Sequence, residues 1–555
     1  MKAVEVRIHN FRSVCDATIT VANCGILVGV NNAGKTAVID AIRAFYGKGV
    51  KFDNTRDFPH RGATDNESWV EIEFKPSVDE FVNLKDEYKT ADQTFRVRNY
   101  LFSDQKDAEN KDRSGPYAYV GGQLSDERFY GFKNVGQGKF GDVIYIPAVS
   151  KVDEHTKLTG PSALRDLLNA VLSKVMGQSP AYQALSDSFA QFEGAIKTET
   201  TDDGHSIQGI ETDISVELAG WGAGFKLSIN PVGIDEVIKG LISHEIVDGS
   251  LGKTQPISSY GQGFQRSLIY TLIRIAAKYI TKKPLAKNKD FVPDLTWILF
   301  EEPEAFLHPT QISVLSGDLR ALSAAPGTQV LLSSHNPLFA THSIREISAI
   351  CRLQRDNCQT SAYQISGQQL ETVLANNQQD AQAWQAAGMQ IDPDDLLTDM
   401  EAVKYALWLD DKRCGAFFAE KILLVEGPTE TALLSYMRDQ GLLPSCRDVF
   451  IMDTIGKFNI HRFMRLLECF GIKHCVLYDG DNGRHAAVDA TIQAAVNPYT
   501  VGIDTFQSDL EGFLAIPAAR QKHRKPQHLM VHVERNRINL NPLAAKVNSL
   551  VSYGP

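Results

Sequence analysis

Two stretches of this 555-residue chain end apolar runs in carboxylates. Lys421–Val425 stops at Glu426, and Glu430 follows four residues on. About fifty residues later Val476–Tyr478 stops at Asp479, with Asp481 just across Gly480. Short apolar runs of this kind read as buried strands of a parallel sheet. Open α/β sheets carry their sites at the C-terminal ends of such strands. Gly427 and Pro428 read as a turn and Thr429–Arg438 as a helix, so Glu430 on its first turn points back toward Glu426. Strand alternation about Gly480 aims Asp479 and Asp481 at one pocket. A donor set made only of oxygen suits a hard cation, Mg²⁺ or Mn²⁺.

A second constellation handles phosphate. Gly25–Gly29 reads as a buried strand, followed by Val30, Asn31, Asn32, Ala33, Gly34, Lys35 and Thr36 and then a helical stretch, Ala37–Tyr46. This is the P-loop pattern, G-x-x-x-x-G-K-S/T, in its strand–loop–helix setting. Its backbone N–H groups close around phosphate, Lys35 neutralises the β/γ charge, Thr36 holds Mg²⁺, and the helix N-terminus adds its dipole. Leu295–Phe300 is another apolar strand ending in acids. Glu301 is placed to hold Mg²⁺ through water and Glu302 to polarise an attacking water. Gly261 and Gly263, before the long apolar stretch Ser267–Ile280, suggest phosphate recognition at a helix N-terminus. His335 ends a further strand that begins at Gln329.

The carboxylate pair of motifs resembles a Toprim domain, the metal-binding module of topoisomerases, primases and OLD-family nucleases. The order P-loop, Gly261–Gly263 loop, Glu301–Glu302, His335 resembles the ABC-type ATPases of the SMC/RecF/OLD group. That resemblance implies a γ-phosphate contact from His335 and a dimer in which one subunit's glycine loop completes the other's site. The match at the loop is partial: Gly261-Gln262-Gly263 stands where the common signature has Ser-x-Gly. Together the two halves resemble the OLD (overcoming lysogenization defect) family, which includes phage exclusion nucleases, the Gabija nuclease and retron-associated effectors. The resemblance implies a further metal-binding acid, Asp509 or Glu511, and a downstream lysine that stabilises the transition state, for which Lys525 in the basic run Lys522–His528 is the choice. It also implies ATP and Mg²⁺ or Mn²⁺ as cofactors and DNA as substrate. A homodimer or higher homo-oligomer is implied, and some relatives act with a helicase-like protein or a retron reverse transcriptase and its DNA.

The elements that must position these groups are expected to form an α/β chain. We expect an ABC-type P-loop ATPase domain at 1–364, with a β-rich lobe and a helical insertion at about 151–200. A helical connector at 365–412 and a Rossmann-like Toprim domain at 413–555 follow. Val4–Ile8 and Trp69–Phe74 alternate as strands, and Val143–Ala148 is an apolar strand. Ser162–Lys197 has a helical pattern, and Glu211–Asn230 reads as a hairpin about the glycine-rich Gly220–Gly224. No heptad stretch of the long-armed SMC kind is present. The chain is too long for one core. Its net charge of −10 confines any DNA contact to local basic patches or metal bridges. No apolar run of about twenty residues predicts a membrane span. The eight cysteines show no CxxC pair, and Cys24, Cys469 and Cys475 read as reduced core residues of a cytoplasmic protein. The function expected is a metal-dependent DNA endonuclease gated by the ATPase, in anti-phage defence. The alternative is a non-catalytic, nucleotide-gated DNA clamp or sensor that recruits a partner effector.

Overall fold

Continuous apolar runs become the middle strands of two parallel sheets. The computed structural model describes residues 1–552 except 108–109, 111, 132–138, 149–167, 169–178, 222, 228–244, 250–251, 280–290, 292, 341–343, 518 and 536–537. The chain divides into two units, one of Met1–Ala148, Lys287–Ala305 and Pro309–Pro555, the other of Val149–Ala286 with Phe306–His308.

The first unit holds three sheets. β1 (Lys2–Phe11), β2 (Val14–Thr20), β4 (Ser68–Lys75), β5 (Phe95–Phe102), β6 (Gly115–Val120) and β7 (Gln123–Arg128) form an antiparallel sheet in the order β2-β1-β4-β5-β6-β7. The second sheet is built on β3 (Cys24–Val28), β8 (Asp142–Ile146), β11 (Thr296–Glu301), β12 (Thr328–Ser333), β13 (Ile350–Asp356) and β14 (Gln359–Tyr363), in the order β14-β13-β3-β12-β11-β8. Its strands pair in parallel except for the β13–β14 hairpin. Phe45, Phe74, Phe95, Phe140 and Trp297 fill the core shared by these two sheets. Because β3, β12 and β11 are neighbours running the same way, the segments that follow them emerge side by side.

The third sheet, β16-β15-β17-β18, is wholly parallel: β15 (Lys421–Val425), β16 (Val449–Asp453), β17 (Lys473–Asp479) and β18 (Thr500–Phe506). Helices Pro428–Asp439, Ile460–Cys469 and Ala486–Ala494 connect its strands. Helices Lys525–Glu534 and Asn541–Ser552 add Leu529, Val533, Leu543 and Val547 to a core that contains Leu423, Leu433 and Leu477. β15 lies between β16 and β17, so the chain's direction of winding reverses between β15 and β17. That is where a doubly wound sheet opens a crevice at its C-terminal edge.

Helix Gly367–Ala386 opens with a capping box between Ser366 and Gln369. Helix Thr398–Trp408 is tied to helix Ile460–Cys469 by a buried ion pair. Arg462 Nε and Nη2 donate to Glu401 Oε2 and Oε1 at 2.7 and 2.8 Å, and Lys404 adds a third bond at 2.6 Å.

The second unit, as described, contains helices Pro180–Thr198, Ile207–Leu218 and Gln262–Tyr279 and the short hairpin of β9 (Ile246–Asp248) and β10 (Lys253–Gln255). The hairpin expected over Glu211–Asn230 is not what forms. Ile207, Ile210, Ile214 and Leu218 recur at helical spacing, and the Ser206 hydroxyl caps the helix by accepting from Gly209 N at 2.9 Å. Phe225 then folds back, its N–H donating to Ser215 Oγ at 3.0 Å. The first part of the helix expected over 162–197 and the end of the hairpin at 228–230 lie outside the described residues. Helix Gln262–Tyr279 starts five residues earlier than the sequence suggests, so Gly263 sits in its first turn and Gly261 just before it. All eight cysteines are free, but of the three expected in the core only Cys475 is buried; Cys24 and Cys469 are half-buried. Among the described residues no helix is long and apolar enough to cross a membrane.

Candidate functional site

The ends of β3, β11 and β12 line one cavity of about 770 Å³. Asn31, Asn32, Gly34, Lys35, Thr36, Glu301, Glu302 and His335 all face it. Gly34 has a φ of 105°, a left-handed turn that lets the helix begin at Lys35. Lys35 is buried, and its ammonium donates to the carbonyls of Gly29 and Val30 at 3.0 and 2.9 Å. Burial brings the Lys35 pKa down to about 8, although Glu302, Glu304 and Glu301 pull the other way. Glu301 accepts from the Tyr145 hydroxyl at 2.9 Å through one oxygen, and its other oxygen, Oε1, has no hydrogen-bond partner. A buried carboxylate oxygen left open in this way is chemically suited to a cation or its water.

Glu302 has a φ of 43°, which side chains other than glycine rarely adopt. Its N–H donates to Ser333 O at 2.8 Å, and its carboxylate stands 3.6 Å from His335 Nε2. Burial and Lys35 lower the His335 pKa against the pull of Glu302, which leaves a neutral imidazole at pH 7. Glu304, which the sequence did not single out, accepts from Ser334 Oγ at 2.9 Å and from the His335 N–H, and so steadies the strand end that presents His335. Gly261 and Gly263, which the sequence suggests for phosphate recognition, fall in the second unit.

The crevice between β15 and β17 gathers the other acids. Glu426 leaves β15 and accepts from Asp479 N at 2.7 Å; Glu430 turns back to accept from Gly427 N at 2.9 Å. Asp479 Oδ1 accepts from Leu510 N at 3.1 Å, which brings the 509–511 segment to the same place. Burial, with Glu426 and Glu430 adding their charge, pushes Asp479 up to about 8. Burial and the nearby Glu430 push Glu426 up to about 7. Glu430 is raised as well, chiefly by burial. Lys525 pairs with Glu511 at 3.1 Å. Burial works against its ammonium, but Glu511, Asp479 and Asp509 outweigh it.

The two residues that the sequence leaves unresolved have different surroundings. Glu511 is 3% exposed against Lys525, whereas the Asp509 carboxylate caps a short helical turn by accepting from Gly512 N at 2.7 Å. Asp481 does not follow the strand alternation. β17 ends at Asp479, and Asp481 takes a left-handed φ of 48°. Its Oδ2 pairs with Lys457 at 3.1 Å and with His485 at 3.0 Å. Lys457 and His485 were missed as site residues. Lys457 is 3% exposed, donates to Asp479 O at 2.5 Å and pairs with Asp489 at 2.7 Å. The sequence signal for it is the Gly456-Lys457 turn after a strand, which resembles the glycine-lysine turn of the OLD family but carries no role by itself.

The donor chemistry fits a hard cation: buried carboxylates of like charge raise each other's pKa, a repulsion that a cation relieves. Among the described residues no three His, Cys, Asp or Glu side chains close on a common point. Glu426, Glu430, Asp479 and Asp509 each rest on a backbone N–H.

Comparisons with known proteins match different parts of the chain to different families. The OLD-like Toprim family (overcoming lysogenization defect protein-like) matches residues 417–481, an AAA ATPase domain family matches residues 1–114, and a further AAA domain family matches 184–341. The Old nuclease of Escherichia phage P2 is 24% identical over 499 residues, covering 87% of this chain and 77% of that protein. Among solved structures, an SMC head domain from Thermotoga maritima has a TM-score of 0.32 at 13% identity, covering 66% of this chain and all of that one. RecF with ATP has a TM-score of 0.30 at 12% identity, covering 65% and 99%. Scores this low decide nothing about the chain, whose fold class rests on its own sheets and on the family matches. The α/β chain thus carries AAA ATPase domain matches and an OLD-like Toprim domain, and it is a distant homologue of the phage P2 Old nuclease.

Proposed function

We propose that this protein is an ATP-gated, metal-dependent DNA endonuclease. One observation carries the reading: a single chain holds a P-loop cavity and, at the switch point of its Toprim sheet, buried and half-buried carboxylates whose charges act on one another, with a lysine beside them. Glu426, Glu430, Asp479 and Glu511 would hold two Mg²⁺ or Mn²⁺ ions, with Asp481 an outer member and Asp509 a cap. The cations supply Lewis acidity and an activated water for phosphodiester hydrolysis. Lys525 neutralises charge that builds on the phosphate, and Lys457 holds the Asp479–Asp481 loop in place. In the ATPase, Lys35 and Thr36 bind the β/γ-phosphates and their Mg²⁺ with Glu301, Glu302 orients water, and neutral His335 donates to the γ-phosphate. Gly261 and Gly263 of a second copy complete that site, which makes the working form a homodimer or a larger homo-oligomer. Nucleotide state then biases two arrangements of the enzyme, and cleavage follows. Anti-phage defence in the cytoplasm is the proposed setting.

The test is cleavage of supercoiled plasmid with Mg²⁺ or Mn²⁺, with and without ATP, by the wild type and by Asp479→Ala. Loss of cleavage in the variant supports the reading. A wild type that binds DNA under nucleotide control but never cuts it overturns the nuclease in favour of a non-catalytic clamp.

A further inference from the structure

The hairpin β13–β14 touches the nucleotide loop at one rung and the Toprim domain at another. Arg355 pairs in register with Thr360, and Arg352 with Tyr363. At the first rung, Arg355 Nη1 donates to Asn32 Oδ1 at 2.8 Å and Thr360 Oγ1 to Ala33 O at 3.0 Å. The P-loop backbone lies directly against this ribbon. A Cβ on Gly29 would sit 2.3 Å from Leu353 O, and one on Gly34 2.5 Å from Thr360 Oγ1. At the second rung, Arg352 is 2% exposed. Its guanidinium donates to Phe470 O, Gly471 O and Ala419 O at 3.0, 3.2 and 3.0 Å, and to Gln354 Oε1 at 2.8 Å. A Cβ on Gly471 would meet the Tyr363 ring at 2.5 Å. The two rungs are three residues apart along β13, roughly 10 Å at the strand rise.

What Arg352 grips matters. Phe470 and Gly471 end the helix Ile460–Cys469, whose last carbonyls carry the negative end of its dipole. At the other end of that helix is the turn that carries Lys457, bonded to Asp479 O and Asp481. A chain of direct contacts thus runs from Asn32 through Arg355, β13, Arg352 and one helix to the carboxylate cluster. Packed strands and helices transmit displacement because their interiors are close-packed.

We infer that the β13–β14 ribbon couples the nucleotide pocket to the Toprim site, with Arg352 as the positioning residue at the Toprim end and Arg355 as the sensor of the P-loop's conformation. This rests on the reading that nucleotide gates cleavage. Coupling between sites changes affinity by about 5- to 150-fold in proteins generally, and a change in wild-type cleavage of at least ~5-fold at saturating nucleotide is the response that counts as gating.

The experiment compares the full-length wild type with Arg352→Gln, and with Arg352→Lys and Arg355→Ala as milder changes should Arg352→Gln fail to fold. ATP affinity, nucleotide-free cleavage and cleavage at saturating nucleotide are each measured. Amide hydrogen exchange over 457–471 is followed with and without a slowly hydrolysed ATP analogue. In Arg352→Gln, ATP affinity and nucleotide-free cleavage stay near wild type, while the nucleotide response and the exchange difference over 457–471 vanish. Arg352→Lys, which keeps the charge but not the fork, restores part of the response, and Arg355→Ala weakens it. An undiminished nucleotide response in the variants, beside a gated wild type, overturns the ribbon's role alone. A wild type that binds ATP yet cleaves identically with and without it removes the gating, and the ribbon's role with it.

Discussion

Acidification should strip metal from the Toprim site before it disturbs the fold, and the size of the effect follows from two carboxyl groups. Asp479 is raised to about 8 by burial and by Glu426 and Glu430, and Glu426 to about 7 by burial and by Glu430. A cation must displace any proton on its ligands, so apparent affinity falls by the factor 1 + 10^(pKa − pH) for each. Between pH 8 and pH 6 that factor grows ~50-fold for Asp479 alone and ~500-fold if Glu426 must also ionise. The linkage to stability has the opposite sense. A carboxyl whose folded pKa exceeds its unfolded value stabilises the metal-free fold below about pH 4, and that contribution is lost as pH rises through about 8. For Asp479 this is on the order of 5 kcal/mol at ~1.4 kcal/mol per pKa unit. A bound cation returns it, so Mg²⁺ should raise the melting temperature more at pH 8 than at pH 6. The assay is Mn²⁺ binding to nucleotide-free protein, followed by the electron paramagnetic resonance of free Mn²⁺ at pH 6, 7 and 8. Asp479→Asn should bind more weakly and with a shallower pH slope. Wild-type affinity that is flat across this range refutes the assignment of these two acids as ligands.

Lys35→Ala should lower ATP affinity at least ~100-fold by removing the P-loop cation, while Mn²⁺ binding at the Toprim acids is unchanged; calorimetry showing wild-type ATP affinity defeats the P-loop assignment. Glu302→Gln should bind ATP but hydrolyse it ~100-fold or more slowly, and normal turnover places the base elsewhere. Glu401→Ala leaves Arg462, 3% exposed, as an unpaired buried cation, and should cost ~3–5 kcal/mol in a urea melt. Replacing both residues by leucine should recover most of that loss. A Glu401→Ala protein as stable as wild type shows that water reaches Arg462.

The features legible in the sequence are those set by neighbours along the chain. A P-loop is written within eight residues, and Gly34 must be glycine because its φ of 105° and the nearby Thr360 exclude a side chain. Glu301, Glu426 and Asp479 were readable because an apolar strand and the acid that ends it are contiguous, and a parallel sheet aligns strand ends without further instruction. Where the rule of alternation was pressed past the strand end it failed: Asp481 belongs to a turn, and its direction is set by Lys457, 24 residues away. The Glu211–Asn230 hairpin failed because glycines suggested a turn where a helix with apolar residues at three- and four-residue spacing was the better match. Lys457 and Tyr145 were harder still, since each acts on a group that only the fold brings near: Asp479 O and Glu301. Arg352 was beyond reach for a further reason. Three of its partners are main-chain carbonyls of Ala419, Phe470 and Gly471, and every residue has a carbonyl. No side-chain pattern can mark such a partner. A link between two functional halves made through backbone acceptors therefore leaves little trace in the sequence: Arg352 stands between Cys351 and Leu353 in β13, and its meaning depends on which helix ends against it.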